Sequence, residues 1–327
     1  MKIVVTAISV GIVAVLMYTW GQFTASCWCD SKARLDGKTV IVTGSNTGIG
    51  KETARDLARR GAKVILACRN ITKAAAAAED IERSTSNGKI VVQKLDLSSL
   101  ASVREFAKKI NQEEERLDVL INNAGVVQSP RKETEDGFEM TFGTNHLGHF
   151  LLTNLLLNLL KKSASSRVIN VSSDGYKFAW LFDYTGIRFD DIHLKKDFNI
   201  WFAYGQSKTA NILFTLELGK RLEGTGVTSY SLHPGTINTE INRHAHTFYP
   251  LPTISVPVAN FLFRLLGKTI VEGAQTTIYC AVEESIVTSS GSFFRDCALQ
   301  EVWPHAQDQD VAKRLWEFSA ESVGLET

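Results

Sequence analysis

Tyr204 and Lys208, in the run Tyr204-Gly205-Gln206-Ser207-Lys208, stand four residues apart. On a helix that spacing puts both side chains on one face. A phenol with a pKa near 10 is a poor acid-base at neutral pH unless a nearby ammonium stabilises its phenolate. Reduction of a carbonyl by hydride needs such a proton donor. Of seven tyrosines only Tyr204 has a lysine four residues on. A second candidate site is Thr43-Gly44-Ser45-Asn46-Thr47-Gly48-Ile49-Gly50, placed after an apolar run and before a helical pattern. Gly44 permits a tight turn, Gly48 lets backbone approach a pyrophosphate, and Gly50 allows close helix–strand packing. The free N–H groups at that helix start attract phosphate. Where an NAD site usually places a carboxylate, the sequence reads Leu66-Ala67-Cys68-Arg69-Asn70. Arg69 can pair with a 2′-phosphate, which favours NADP over NAD.

The elements that position these residues alternate along the chain. Strands are expected at Thr39–Thr43, Lys63–Cys68, Ile90–Leu95, Leu117–Ile121, Arg167–Val171 and Val227–Leu232. Helices are expected up to Arg60, over Ala74–Arg83, Ser98–Gln112 and Gly137–Lys162, and from about Ile200 to Arg221. Apolar strands without alternation, joined by helices, imply a parallel sheet covered on both faces. Right-handed crossovers then give a doubly wound α/β fold of Rossmann type in a single domain. That domain is expected over 37–300, with a proline-broken apolar lid at about 237–268 and a C-terminal tail at 301–327.

These motifs, with Asn122-Asn123-Ala124-Gly125 after the fourth strand and Ser173 after the fifth, occur in the order of one family. The sequence resembles the short-chain dehydrogenase/reductases, from about Gly37 to Phe294. Within them it is most similar to the membrane-anchored retinol dehydrogenases. Val64 to Asn70, Asn145-His146-Leu147-Gly148-His149-Phe150 and His233-Pro234-Gly235 carry that closer likeness. The resemblance implies Tyr204 as acid-base, with Lys208 lowering its pKa and holding the nicotinamide ribose. It implies Ser173 on the substrate oxygen, with Ser172 as the alternative, and Asn145 behind Lys208 in a water relay. Asn123 would brace the central strand beside Ala124 and Gly125, and Asp96 would contact adenine. Pro234, Gly235 and Thr239 would hold the carboxamide. The implied activity is NADP(H)-dependent interconversion of a lipophilic alcohol and carbonyl, retinol and retinal first. A steroid or fatty-aldehyde reductase and a catalytically silent NADP(H)-binding scaffold are the alternatives. Leu181 to Phe198 reads as an insertion that shapes the substrate mouth. His146 and His149 have HxxH spacing but no third ligand, so no metal is expected.

Ile3 to Trp20 is uncharged and apolar, and eighteen helical residues span about 27 Å. Residues 1–29 therefore read as a membrane anchor, with a cleaved signal peptide as the alternative. Five cysteines in no disulfide-like spacing, and sequons at Asn70 and Asn170 beside the site, point to a cytosol-facing domain. The endoplasmic reticulum membrane is expected, a mitochondrial membrane second. Net charge of +1 leaves no basic face for nucleic acid, and a homodimer stays open.

Overall fold

The computed structural model describes residues 27–85, 89–237 and 267–326. Six strands form where apolar, β-branched runs occur: β1 Thr39–Thr43, β2 Lys63–Cys68, β3 Lys89–Lys94, β4 Val119–Asn122, β5 Ser166–Val171 and β6 Val227–His233. Two more, β7 Phe293–Arg295 and β8 Ala298–Leu299, complete an eight-stranded sheet in the order 3-2-1-4-5-6-7-8. All neighbours are parallel except β7 with β8, so the parallel sheet expected from the sequence carries one short antiparallel strand at its edge. Strands of three and two residues carry too little pattern to be read from sequence. Strand order reverses between β1 and β4, and the crevice at such a switch point is where doubly wound sheets bind ligands.

The central strands β1, β2, β4, β5 and β6 bury both faces, whereas β3 at one edge and β8 at the other do not. On one side, Ile41, Ile65, Leu120 and Val168 meet helices α3 Leu100–Glu113, α4 Gly148–Lys162 and α6 Ile200–Arg221. On the other, Val40, Val42, Leu66, Ile121 and Ile169 meet α1 Gly48–Arg59, α2 Ile71–Ser84 and α7 Ile270–Val282. A short helix, α5 Tyr176–Phe182, lies on α6. The stretch expected as a tail folds into α8 Gln309–Ser322, whose Leu315 and Trp316 are buried in the first core against Phe150 and Phe214. The helix expected from Gly137 onward begins later and is interrupted. Met140–Phe142 leads into a π-helical turn, Gly143–Leu147, before α4 starts. Such turns tend to mark functional positions, and this one carries Asn145.

Cys27 and Cys297 are joined in a disulfide, with Cα atoms 5.9 Å apart. The cysteine spacing pointed to no such pair, because a separation of 270 residues is visible only once the chain is folded. A disulfide suits an oxidising compartment, so the cysteines no longer argue for a cytosolic face. Asn170 is buried in β5 with its amide on Thr215, so its sequon carries no argument either. Residues 1–26 of the expected anchor (1–29), Thr239 and residues 238–266 of the expected lid (about 237–268) lie outside the described residues. Among the described residues no helix is long and apolar enough to cross a membrane.

Candidate active site

The glycine loop follows β1 at the switch point. Gly44 has φ +64°, and a Cβ there would stand 2.9 Å from Ala124 Cα. A Cβ on Gly50 would stand 2.4 Å from Asn123 Nδ2 and 2.9 Å from the Gly44 carbonyl. Both positions therefore need glycine to let the β4 loop close on the β1 loop. Asn123 holds that contact, its amide donating to the Thr43 carbonyl at 2.8 Å. Thr43 Oγ1 accepts the N–H groups of Asn123 and Ala124, each at 2.9 Å. The same oxygen lies 2.8 Å from His149 Nε2. His149 Nδ1 meets the Asn145 carbonyl at 3.0 Å, which can only accept, so Nε2 is the ring's acceptor and takes the Thr43 proton. Burial drops the His149 pKa to about 4, which keeps that neutral tautomer. His146, pushed to about 3 by burial, bonds Ser319 of α8 instead. The two histidines thus serve separate hydrogen bonds rather than one metal-like centre.

The start of α1 is built for an anion. Helices α2, α3, α6, α7 and α8 each receive a side-chain cap, from Asn70, Ser99, Asn199, Thr269 and Asp308. Helix α1, entered at Thr47, receives none and has no acid in its first turn. Its first N–H groups are left for a ligand such as a pyrophosphate, so the residues present fit a dinucleotide. A pocket beside them is lined by Asn46, Thr47, Lys51, Lys73, Ala76 and Ala77. Arg69 is exposed at the end of β2 and makes no ion pair among the described residues. Lys73 was not foreseen. One turn into α2, it brings a second cation to the side where Arg69 stands, whereas Lys51 is held by Asp80 at 2.8 Å. Asp96, at the end of β3, accepts from the Ser98 amide at 3.0 Å and its hydroxyl at 2.6 Å, which orients its carboxylate.

On the other side of the crevice, β5 and α6 bring the polar groups together. Ser173 Oγ accepts from the Gly175 amide at 3.1 Å and stands on the side of Tyr204, since a Cβ on Gly175 would lie 2.6 Å from the Tyr204 ring and 3.4 Å from that Oγ. Ser172 points the other way, donating to the Lys208 carbonyl at 2.8 Å while buried. Of the two serines left open in the sequence, Ser173 is the one that faces Tyr204. Lys208 Nζ donates to the Val171 carbonyl at 3.1 Å and lies 5.6 Å from the Tyr204 ring centre. Nζ and Asn145 Oδ1 both lie 3.6 Å from where a Cβ on Gly125 would stand. Asn145 is fixed there by Ser207 Oγ and the Val126 backbone, at 2.8 to 3.0 Å.

One expectation is not met in this arrangement. Burial raises the Tyr204 pKa above its ordinary value, against a smaller downward pull from Ser173. Lys208 does not depress it, because the ammonium is turned to Val171 and is itself brought down to about 8 by burial. Sequence reasoning also missed a chain of ion pairs behind Ser173. Asp174 pairs with Lys177 at 3.3 Å and Arg295 at 2.9 Å, and its amide donates to His233 Nδ1 at 3.2 Å. Arg295 continues to Asp296 at 3.3 Å, and Asp296 to Lys268. Lys268 packs under Gly235, so Pro234-Gly235 rests on this chain of ion pairs. No short-range signal announces pairs that join residues 121 and 28 positions apart.

Comparison with known proteins bears on this arrangement. The short chain dehydrogenase family matches residues 38–184. Human retinol dehydrogenase 13 is 52% identical over 299 residues, covering 91% of this chain and 88% of the relative. The chain belongs to the short-chain dehydrogenases. Human retinol dehydrogenase 14 is 48% identical over 304 residues, covering 89% and 88%, which places the chain in the retinol dehydrogenase branch. The crystal structure of a Mycobacterium paratuberculosis protein matches with TM-score 0.70 at 34% identity, covering 92% of this chain and 98% of that one. The protein is an oxidoreductase of this family and uses a nicotinamide dinucleotide.

Proposed function

We propose that the protein reduces a lipophilic carbonyl with NADPH, retinal being the first candidate. The observation that carries the reading is the convergence of Ser173, Tyr204 and Lys208 beside an uncapped helix start and two cations. The names of the relatives favour a retinoid over a steroid or aliphatic aldehyde. When bound, the reduced nicotinamide supplies hydride to the carbonyl carbon. Tyr204 donates its proton to the carbonyl oxygen as that oxygen gains charge, and Ser173 donates a hydrogen bond to the same atom. The raised Tyr204 pKa keeps the phenol protonated at neutral pH, the form reduction requires. Lys208, with Nζ fixed on Val171, keeps two protons for the ribose and the phenol. Asn145 is held beside Lys208 by its bond to Ser207.

The cofactor roles follow the same geometry. The amides of Ser45, Asn46, Thr47, Gly48 and Ile49 would take the pyrophosphate, and Arg69 and Lys73 the 2′-phosphate. Asp96 would meet the adenine, Ala124 and Gly125 the ribose side, and Pro234 and Gly235 the carboxamide. Residues 3–20 would hold the domain to a membrane.

The test is a screen of retinal, a steroid ketone and an aliphatic aldehyde with NADPH and with NADH. Retinal turnover with NADPH is expected, falling about 10² to 10⁴-fold in Tyr204→Phe while NADPH binding persists. Near-normal turnover in that variant refutes the assignment.

A further inference from the structure

Helix α5 reads Tyr-Lys-Phe-Ala-Trp-Leu-Phe, with Lys177 its only charged residue. A surface helix ordinarily turns polar residues outward. Here the inner face, Tyr176 and Ala179, packs on the catalytic helix α6, and the backbone of Ala179 sits so close that a Cβ on Gly205 would stand 2.6 Å from its amide nitrogen. The outer face is apolar too: Leu181 is 63% exposed and Phe182 49%, and Phe178 is also exposed. Tyr184, 79% exposed, stacks edge-on with Trp180, which in turn meets Trp303 at 5.2 Å. Leu299, 62% exposed on the edge strand β8, extends the patch along the chain that leads to Trp303. Contiguous apolar surface of this kind marks an interaction site.

The other end of the same hairpin says what covers it. Cys297 is bonded to Cys27, and Cys29 is fixed independently by its amide on Gln275 at 3.1 Å. The uncharged apolar run that precedes Cys27 therefore joins the domain two residues from Leu299, at most about 7 Å along the chain. Exposed tryptophan and tyrosine beside the root of an apolar segment form the arrangement of a membrane interface belt.

We propose that the outer face of α5, with Tyr184, Leu299 and Trp303, is a membrane-docking surface that rests in the lipid headgroup layer. The surface lies directly over the catalytic tyrosine's helix, so a lipid-dissolved substrate passes from the bilayer to Tyr204 without crossing water. The proposal rests on the reading of a membrane-held enzyme with a lipophilic substrate.

The full chain, with Trp20→Phe and Trp28→Phe, is reconstituted in phosphatidylcholine vesicles whose acyl chains are brominated near the headgroup. Loss of tryptophan emission relative to unbrominated vesicles is expected, because Trp180 and Trp303 reach the lipid. Phe178→Glu with Leu299→Glu should abolish that loss and raise KM several-fold for vesicle-borne retinal, while turnover of a water-soluble aldehyde stays unchanged. Emission unaffected by brominated lipid overturns the proposal and leaves the patch to a second copy of this chain or to its residues 238–266. Quenching without turnover of any carbonyl keeps the docking surface and rejects the enzymatic reading instead.

Discussion

Replacing Thr43 by valine would keep the shape of the side chain and remove a hydroxyl on which three groups converge. The Asn123 amide would lose one partner but keep the Ile121 carbonyl at 3.0 Å. The Ala124 amide and His149 Nε2 would be left without theirs. A buried polar group deprived of its partner costs about 1 to 3 kcal/mol, so two of them cost about 2 to 6 kcal/mol. Thr43 and His149 are fully buried, whereas the Ala124 backbone is half-buried, which argues for the lower half, about 2 to 4 kcal/mol. At about 2 to 4 °C per kcal/mol for a large domain, Tm should fall by roughly 5 to 15 °C. Thr43→Ser keeps the hydroxyl and loses one methyl, about 1 kcal/mol. The assay is thermal unfolding by circular dichroism of the full chain in lipid nanodiscs, with NADPH affinity by fluorescence on the same samples. Affinity should fall with the valine and much less with the serine, since Ala124 abuts the glycine loop. Valine and serine variants of equal stability would refute the hydrogen-bond hub.

Arg69→Ala and Lys73→Ala should each weaken NADPH about 10- to 100-fold and leave NADH nearly unchanged, from about 1 to 4 kcal/mol per charge pair near a surface; an unchanged NADPH-to-NADH ratio rejects the phosphate assignment. Ser173→Ala should lower kcat for reduction, because Ser173 is the serine that meets Tyr204. Ser172→Ala should act mainly on stability, through its bond to the Lys208 carbonyl; the reverse pattern in steady-state kinetics exchanges their roles. Reduction should be level near neutrality and fall above about pH 8, where Lys208, its pKa depressed by burial, loses its ammonium as pH rises. Lys208→Arg should move that fall to higher pH, and a profile level to pH 10 in the unaltered protein removes Lys208 from the reaction.

What the chain announces locally is the phosphate-binding turn and the tyrosine–lysine pair. Gly44 to Gly50 between an apolar run and a helix is a contiguous pattern whose backbone demands are satisfied within a few residues. Tyr204 and Lys208 share a helix face by the period of the helix itself. The six long strands were legible for the same reason, to within about two residues at their ends. Tertiary structure alone decided which serine faces Tyr204, because neighbouring residues on a strand end point to opposite sides and only the packed partner helix labels them. It decided the direction of the Tyr204 shift, since burial of the phenol outweighs a lysine that turns to Val171. It also decided that residues 309–322 belong to the core and that Cys27 meets Cys297. These are contacts between positions scores to hundreds of residues apart, and hydrophobic pattern and turn chemistry act only over the next few.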